Sequence, residues 1–341
     1  MSGMAQATEI RSVAIVGAGA IGGWLGTRLA RSGRQVSALA RGETLAALRA
    51  NGLRLHQGGE LLQAPVRASN QAHELGPHDL VILAVKAPAL PGIAPAIGPL
   101  IGRHTTVLTA MNGVPWWFFE GFGGALQGTP LPVVDPGGAM ARAVPGRHVL
   151  GGVVHASCAL DAPGVVRHHF GNGLIVGEPS GESSQRAQAV VDALTDAGIE
   201  GKLSPQIQKD VWYKLWGNMT VNPVSAITGA TTDRILGDPQ VRGFISAVML
   251  EAKAIGAKLG IPIDQQPEDR HAVTLKLGAF KTSMLQDVEA GRPVELDALV
   301  AVVAELGRLT QVPTPFTEAL LGLARLRART LGLYPEAPQQ G

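Results

Sequence analysis

Charge, sulfur and aromatic rings are all scarce in this sequence. Only 16% of its 341 residues are charged and the formal net charge is +2, with no dense run of lysine and arginine. A nucleic-acid partner would need a basic stripe that is missing here. The single cysteine, Cys158, excludes an intrachain disulfide framework and fits a reducing compartment, so the cytoplasm is the expected location. Cys158 itself reads as a small packed hydrophobe. Long apolar runs are missing too: the most apolar stretch, residues 80–101, is interrupted by Lys86, Pro88, Pro91, Pro95 and Pro99, which argues against a membrane span. Met1 to Glu9 shows no charged segment leading into an apolar run, so no signal peptide is expected. The nine histidines are scattered, and His168-His169 has no plausible third ligand nearby, so no metal is expected. What remains, 45% hydrophobic residues on a chain of this length, suffices for two domains with their own cores.

The polar residues that are present fall into patterns. In Trp212-Tyr-Lys214-Leu-Trp-Gly-Asn218-Met-Thr-Val-Asn222-Pro223, the positions of Lys214, Asn218 and Asn222 drift by only about 40° per step around a helix and share one stripe. Val211, Trp212, Leu215, Trp216, Met219, Val221 and Val224 surround that stripe, so an ammonium is expected in a largely buried setting, where it needs partners.

At the other end of the chain, Ser12-Val-Ala-Ile-Val16 leads into Gly17-Ala18-Gly19-Ala20-Ile21-Gly22 and a helical pattern from Trp24 to Arg31. This is strand, glycine turn, helix. Gly17 permits the tight turn, Gly19 lets a pyrophosphate approach the backbone, and Gly22 lets helix and strand lie close, with the helix N-terminus offering N–H groups to phosphate. The second strand, Gln35 to Ala40, ends in Arg41, where an NAD site would place an acid for the ribose hydroxyls; a guanidinium there suits the 2′-phosphate of NADP. A helix from about Glu43 to Ala50 and a hairpin turning at Gly58-Gly59 follow. Two further apolar runs, beginning at Asp79 and Thr105, deliver Lys86 and Asn112 at their ends. Ligands of open α/β sheets bind outside the carboxyl ends of the strands, so Gly17, Arg41, Lys86 and Asn112 are expected to converge on one crevice.

The expected fold is therefore α/β: an N-terminal Rossmann-type doubly wound sheet followed by an all-helical C-terminal domain. Residues 1–204 form the NADP-binding part, with an aromatic-rich insertion at about 113–152; residues 205–334 form the helical part, and 335–341 a tail. Strands are expected over 153–160, 164–170 and 174–177 and a helix over about 183–197, then helices over about 206–228, 239–259, 268–289, 295–311 and 316–331.

Taken together, the glycine turn, Val85-Lys86, Asn112-Gly113, the Lys214/Asn218/Asn222-Pro223 helix, Thr282-Ser283-Met-Leu-Gln-Asp287 and Val294-Glu295-Leu-Asp297 resemble the ketopantoate reductase (2-dehydropantoate 2-reductase) family over residues 12–330. The resemblance implies NADPH as reductant, a 2-oxo acid as small-molecule substrate and Lys214 as proton donor. It also implies Asn218, Asn222 and Ser283 as substrate contacts, Lys86 and Asn112 near the nicotinamide end, and Glu295 beside cofactor and lysine. A homodimer is the assembly to test. The chemistry agrees: hydride delivery leaves negative charge on the former carbonyl oxygen, which an ammonium can stabilise and protonate. Two other readings stay open: a β-hydroxyacid dehydrogenase, although the glycine-rich segment such enzymes place before their lysine is missing, and an NADP-binding redox sensor without turnover. Trp116-Trp117-Phe118-Phe119, directly after Asn112-Gly113, is expected either to stack on a bulkier, more aromatic 2-oxo acid as a lid or to pack as ordinary core.

Overall fold

The structure, a computed structural model, describes residues 9–336. Residues 1–8, which bear on the signal-peptide expectation, and 337–341, most of the expected tail, lie outside the described residues. The chain divides into two compact units. The first holds the described residues through Met111 together with Trp116–Pro130 and Asp135–Asp210; the second holds Asn112–Pro115, Leu131–Val134 and the described residues from Val211 onward.

The first unit is built on one ten-stranded sheet of β1 (Ser12–Val16), β2 (Gln35–Leu39), β3 (Leu53–Gln57), β4 (Glu60–Ala64), β5 (Arg67–Ser69), β6 (Leu80–Leu83), β7 (Thr106–Thr109), β8 (Val149–Ala162), β9 (Val165–Gly177) and β10 (Glu200–Leu203). Its order is β4-β3-β9-β8-β7-β6-β1-β2-β5, with β10 paired to β9, and neighbours from β8 through β5 are all parallel. Every residue of β6 and β7 is buried, as expected of strands covered on both faces. The connecting helices are α1 (Ala20–Arg31), α2 (Gly42–Asn51), α3 (Ala72–Leu75), α4 (Leu90–Ile97), α5 (Ala139–Ala143) and α6 (Gln185–Asp196). Trp24, Leu25 and Leu29 of α1 join Val13, Ile15, Ile82 and Leu108 in one core. This is a Rossmann-type sheet.

In the second unit α7 (Ile207–Thr228), from Val211 onward, is followed by α8 (Thr232–Gly237), α9 (Pro239–Lys258), α10 (Pro267–Leu275), α11 (Ser283–Glu289), α12 (Val302–Thr310) and α13 (Pro315–Thr330), with a π turn over Asp297–Ala301 leading into α12. The Trp216 indole donates to the Met249 carbonyl of α9 at 2.8 Å, fixing the two central helices against each other.

Several expectations are corrected. The single helix expected over 268–289 is two helices. Gly278 takes φ +64, which ends the helical path, and Thr282 then caps α11 by accepting from the Leu285 N–H at 3.2 Å. The strand pieces at 164–170 and 174–177 are one strand, β9, paired with β8 through irregular register. Neither β10 nor α8 was anticipated. Asn112–Pro115 and Leu131–Val134, expected in the nucleotide-binding part, belong to the helical unit, where the Val114 N–H donates to the Ala298 carbonyl at 2.9 Å. Among the described residues no helix is long and apolar enough to cross a membrane, and no group of three or more His, Cys, Asp and Glu could hold a metal.

The aromatic run is core of the first unit. Trp116, Trp117, Phe118 and Phe119 are exposed by only 5%, 1%, 0% and 1%. The Trp117 Nε1–H donates to Thr109 Oγ1 at 3.1 Å, and Phe118, Phe119 and Phe122 pack ring against ring. Of the two readings of this segment, packing as core is the one the structure supports, because a ring this deeply buried presents no face to a ligand. Replacing Trp117 with alanine is expected to destabilise the protein by about 3–5 kcal/mol in urea unfolding. A loss below about 1 kcal/mol would contradict this burial.

Candidate active site

The glycine turn sits where β1 ends. Gly17 has φ +92, and a Cβ there would lie 2.5 Å from Val85 Cγ1. A Cβ on Gly22 would lie 2.0 Å from the Gly17 carbonyl oxygen, so the first turn of α1 can rest against the loop only without a side chain. Gly19, the cap of α1, differs: nothing stands within 4 Å of its Cβ position. Ala18 is buried beneath the turn, whereas Ala20 and Ile21 are partly exposed in the opening turn of the helix. A helix start with uncommitted N–H groups and open space at its cap fits a dinucleotide pyrophosphate.

Because β6, β1 and β2 are adjacent and parallel, the residues following them emerge at one edge of the sheet. Lys86 follows β6 and Arg41, the residue capping α2, follows β2; both are exposed. Gly17, Lys86 and Arg41 therefore share one edge of the first unit. Asn112 follows β7 but belongs to the second unit.

In the second unit the stripe on α7 forms as the spacing dictates: Lys214 and Asn218 are partly exposed and Asn222 is buried. Lys214 is the residue whose titration is most informative. Burial pushes its ammonium down, the Glu295 carboxylate holds it up and the Arg270 guanidinium pushes it down again, leaving it at about 8 against an ordinary 10.5. Glu295 is only 7% exposed, on the segment that precedes the π turn. Ser283 stands on a separate element, exposed in the first turn of α11 behind its Thr282 cap. Sequence reasoning missed Arg270. It is a lone arginine on α10, 56 positions from Lys214, and no local pattern announces a contact made across the fold. Cys158, by contrast, behaves as the sequence suggests: burial pushes its thiol up to about 12, far from a reactive thiolate.

A glycine turn that opens a helix in one unit and, in the other, a lysine drawn down toward neutrality are features that a nicotinamide-dependent oxidoreductase would use. Comparison with known proteins narrows the class. Residues 13–116 match the family described as "Ketopantoate reductase PanE/ApbA", and residues 206–328 match "Ketopantoate reductase PanE/ApbA C terminal". The chain is 47% identical over 323 residues to a 2-dehydropantoate 2-reductase of Mesorhizobium japonicum, covering 94% of this chain and 99% of that protein. Among solved structures, a candidate ketopantoate reductase of Ralstonia solanacearum MolK2 superposes with a TM-score of 0.93 at 56% identity, covering 96% of this chain and 100% of the other. The 2-dehydropantoate 2-reductase of Methylococcus capsulatus gives 0.79 at 26% identity, over 97% and 99%. The chain belongs to the ketopantoate reductase family, NAD(P)H-dependent oxidoreductases acting on CH–OH groups that interconvert a 2-oxo acid and its 2-hydroxy acid.

The glycine geometry separates two effects of adding one methyl. Gly22→Ala is expected to lower the melting temperature by several degrees, since the new Cβ overlaps backbone. Gly19→Ala should leave the melting temperature unchanged yet weaken nucleotide binding at least about tenfold by calorimetry, the methyl occupying space the pyrophosphate needs. Equal nucleotide affinity in wild type and Gly19→Ala would place the phosphates elsewhere.

Proposed function

We propose that this protein reduces a 2-oxo acid of the ketopantoate type with NADPH, and that Lys214 protonates the carbonyl oxygen. The observation that carries the reading is the partly buried ammonium at about 8, near neutral pH, where a general acid is most effective. When bound, the nicotinamide supplies the hydride. As negative charge develops on the substrate oxygen, Lys214 stabilises it and then gives up its proton. Glu295 keeps the ammonium protonated against burial, so it maintains the acid form before reaction. Asn218, Asn222 and Ser283 orient the substrate's carboxylate and hydroxyl through neutral hydrogen bonds. On the cofactor side, Gly17 to Gly22 take the pyrophosphate, Arg41 the 2′-phosphate, and Lys86 and Asn112 the nicotinamide end.

The bulkier, more aromatic substrate loses its support once Trp116 to Phe119 are core, and ketopantoate itself becomes the substrate proposed. The cytoplasm is the proposed location. A homodimer is the proposed assembly, in keeping with the apolar stripe of Phe316, Leu323 and Leu326 that α13 leaves exposed; sedimentation equilibrium tests it, and a monomer at micromolar concentration would refute it.

Lys214→Ala is expected to lower kcat with ketopantoate by at least ~10²-fold while NADPH affinity stays within about twofold. An active variant would mean that another group gives the proton, and a wild type that binds NADPH but reduces no 2-oxo acid would favour the sensor reading. For the cofactor, wild type should prefer NADPH over NADH in kcat/KM, and Arg41→Ala should reduce that preference roughly ten- to a hundredfold, the weight of a charge-assisted phosphate contact. Equal use of both cofactors by wild type would remove Arg41 from the account.

A further inference from the structure

We propose that Arg270, seated on the bare backbone of Gly217, binds the substrate's carboxylate and is the residue by which this protein selects acids over uncharged carbonyl compounds. The inference rests on the reading of the chain as a 2-oxo acid reductase and adds the group that sets its charge specificity. A 2-oxo acid carries its carboxylate on the carbon next to the reacting carbonyl. The residues that the family resemblance assigns to the substrate offer one cation, Lys214, and its task is at the carbonyl oxygen. Asn218, Asn222 and Ser283 are neutral, and Glu295 is an anion that would repel a carboxylate. An anion brought into a partly buried site beside another anion needs a second cation.

Arg270 answers that need by position. It is half-buried on α10, and its guanidinium lies over the Tyr213 ring with Cζ 5.5 Å from the ring centroid. A Cβ at Gly217 would lie 2.6 Å from Arg270 Nε, 2.8 Å from Nη2 and 3.1 Å from Cζ. Both nitrogens are nearer than the carbon between them, so the guanidinium presents its Nε–Nη2 edge to the helix at Gly217. The Nη1 corner lies away from that edge. Tyr213 and Gly217 are one turn apart on α7, and Gly217 is three residues beyond Lys214 and one before Asn218, so the guanidinium rests on the flank of the Lys214–Asn218 stripe. It is close enough to Lys214 to act on its ammonium.

Two features set Arg270 apart from an arginine that merely braces the fold. Its Nε is buried with no hydrogen-bond partner among the described residues, and no described carboxylate pairs with it; an aromatic face and a glycine hold it instead. The structural arginines nearby look different. Arg242 is paired with Glu268, and Arg292 with Asp287 at 2.9 Å. The second feature is Gly217 itself. A glycine inside a helix costs about 0.5–1 kcal/mol relative to alanine, and α7 carries one where a side chain would meet the guanidinium. A planar, permanently charged fork left without a protein anion, one side chain away from the proton donor, is suited to grip a carboxylate while Lys214 meets the adjoining carbonyl.

The test uses the full-length protein with NADPH and three probes: ketopantoate, 2-oxo-3-methylbutanoate and the methyl ester of the latter. Arg270→Gln should raise KM for both acids roughly ten- to a hundredfold, with kcat changed by less than about threefold and the ester's kcat/KM unaffected, so that the preference for acid over ester collapses. Arg270→Lys should recover part of that preference. Gly217→Ala keeps the arginine but displaces it, and should raise KM for the acids in the same direction without touching the ester. NADPH affinity should be unchanged in all three variants, and each should still melt cooperatively, within about 5 °C of wild type. An unaltered KM in Arg270→Gln, or an equal loss with acid and ester, overturns the inference while leaving the proposed activity standing. A wild type that reduces none of the acids overturns the proposed activity and the inference with it.

Discussion

The free energy of keeping one ammonium partly out of water governs the design of the helical unit. An isolated buried lysine would shed its proton, and one left in bulk solvent would hold it too tightly to serve near neutral pH. Here Trp212, Leu215, Trp216 and Met219 wall off α7, and burial draws Lys214 down. The carboxylate of Glu295 stops the fall and Arg270 adds a smaller push, so that the group settles at about 8. The packing of α7 against α9 through Trp216 helps to keep this segment desolvated, and on the proposed function it would serve the chemistry as well as stability.

In the first unit the proposed task is different, that of bringing backbone close to a diphosphate. Its answer is steric. Gly17 and Gly22 are pressed against their neighbours so that Gly19 can stand open, and the parallel order β6-β1-β2 lines up Lys86 and Arg41 beside the turn at the same sheet edge. Between these tasks the chain crosses over earlier than its sequence suggests: Asn112–Pro115 leave the end of β7 already tied into the helical unit through the Val114 bond to Ala298. Asn112 and Lys214 thus belong to one compact body, so the residue that the resemblance implies at the nicotinamide end and the proposed proton donor share one unit.

What could be read from sequence follows from how local each constraint is. The glycine turn was legible because backbone geometry there depends on adjacent residues, and the Lys214–Asn218–Asn222 stripe because helical periodicity is local. The end of α10 was missed because apolar periodicity continues through residues 276–282, while the features that stop the helix, positive φ at Gly278 and the Thr282 cap, are single residues that outweigh the pattern. For Trp116 to Phe119 the sequence left lid and core both open, and only their burial and the Trp117 bond to Thr109 of β7 decide for core. Arg270 had no sequence signal, since its meaning comes from Tyr213 and Gly217 across the fold.

The central claim, a burial-tuned Lys214 acting as acid, is tested most directly by the pH dependence of kcat/KM for 2-oxo acid reduction at saturating NADPH. The active form is the protonated one, present below the folded-state pKa and lost above it. The account predicts a level profile on the acid side of about 8 and, beyond it, a fall approaching tenfold per pH unit as a single proton is lost. A profile that stays flat to about pH 10, where an unperturbed lysine would begin to titrate, would contradict it.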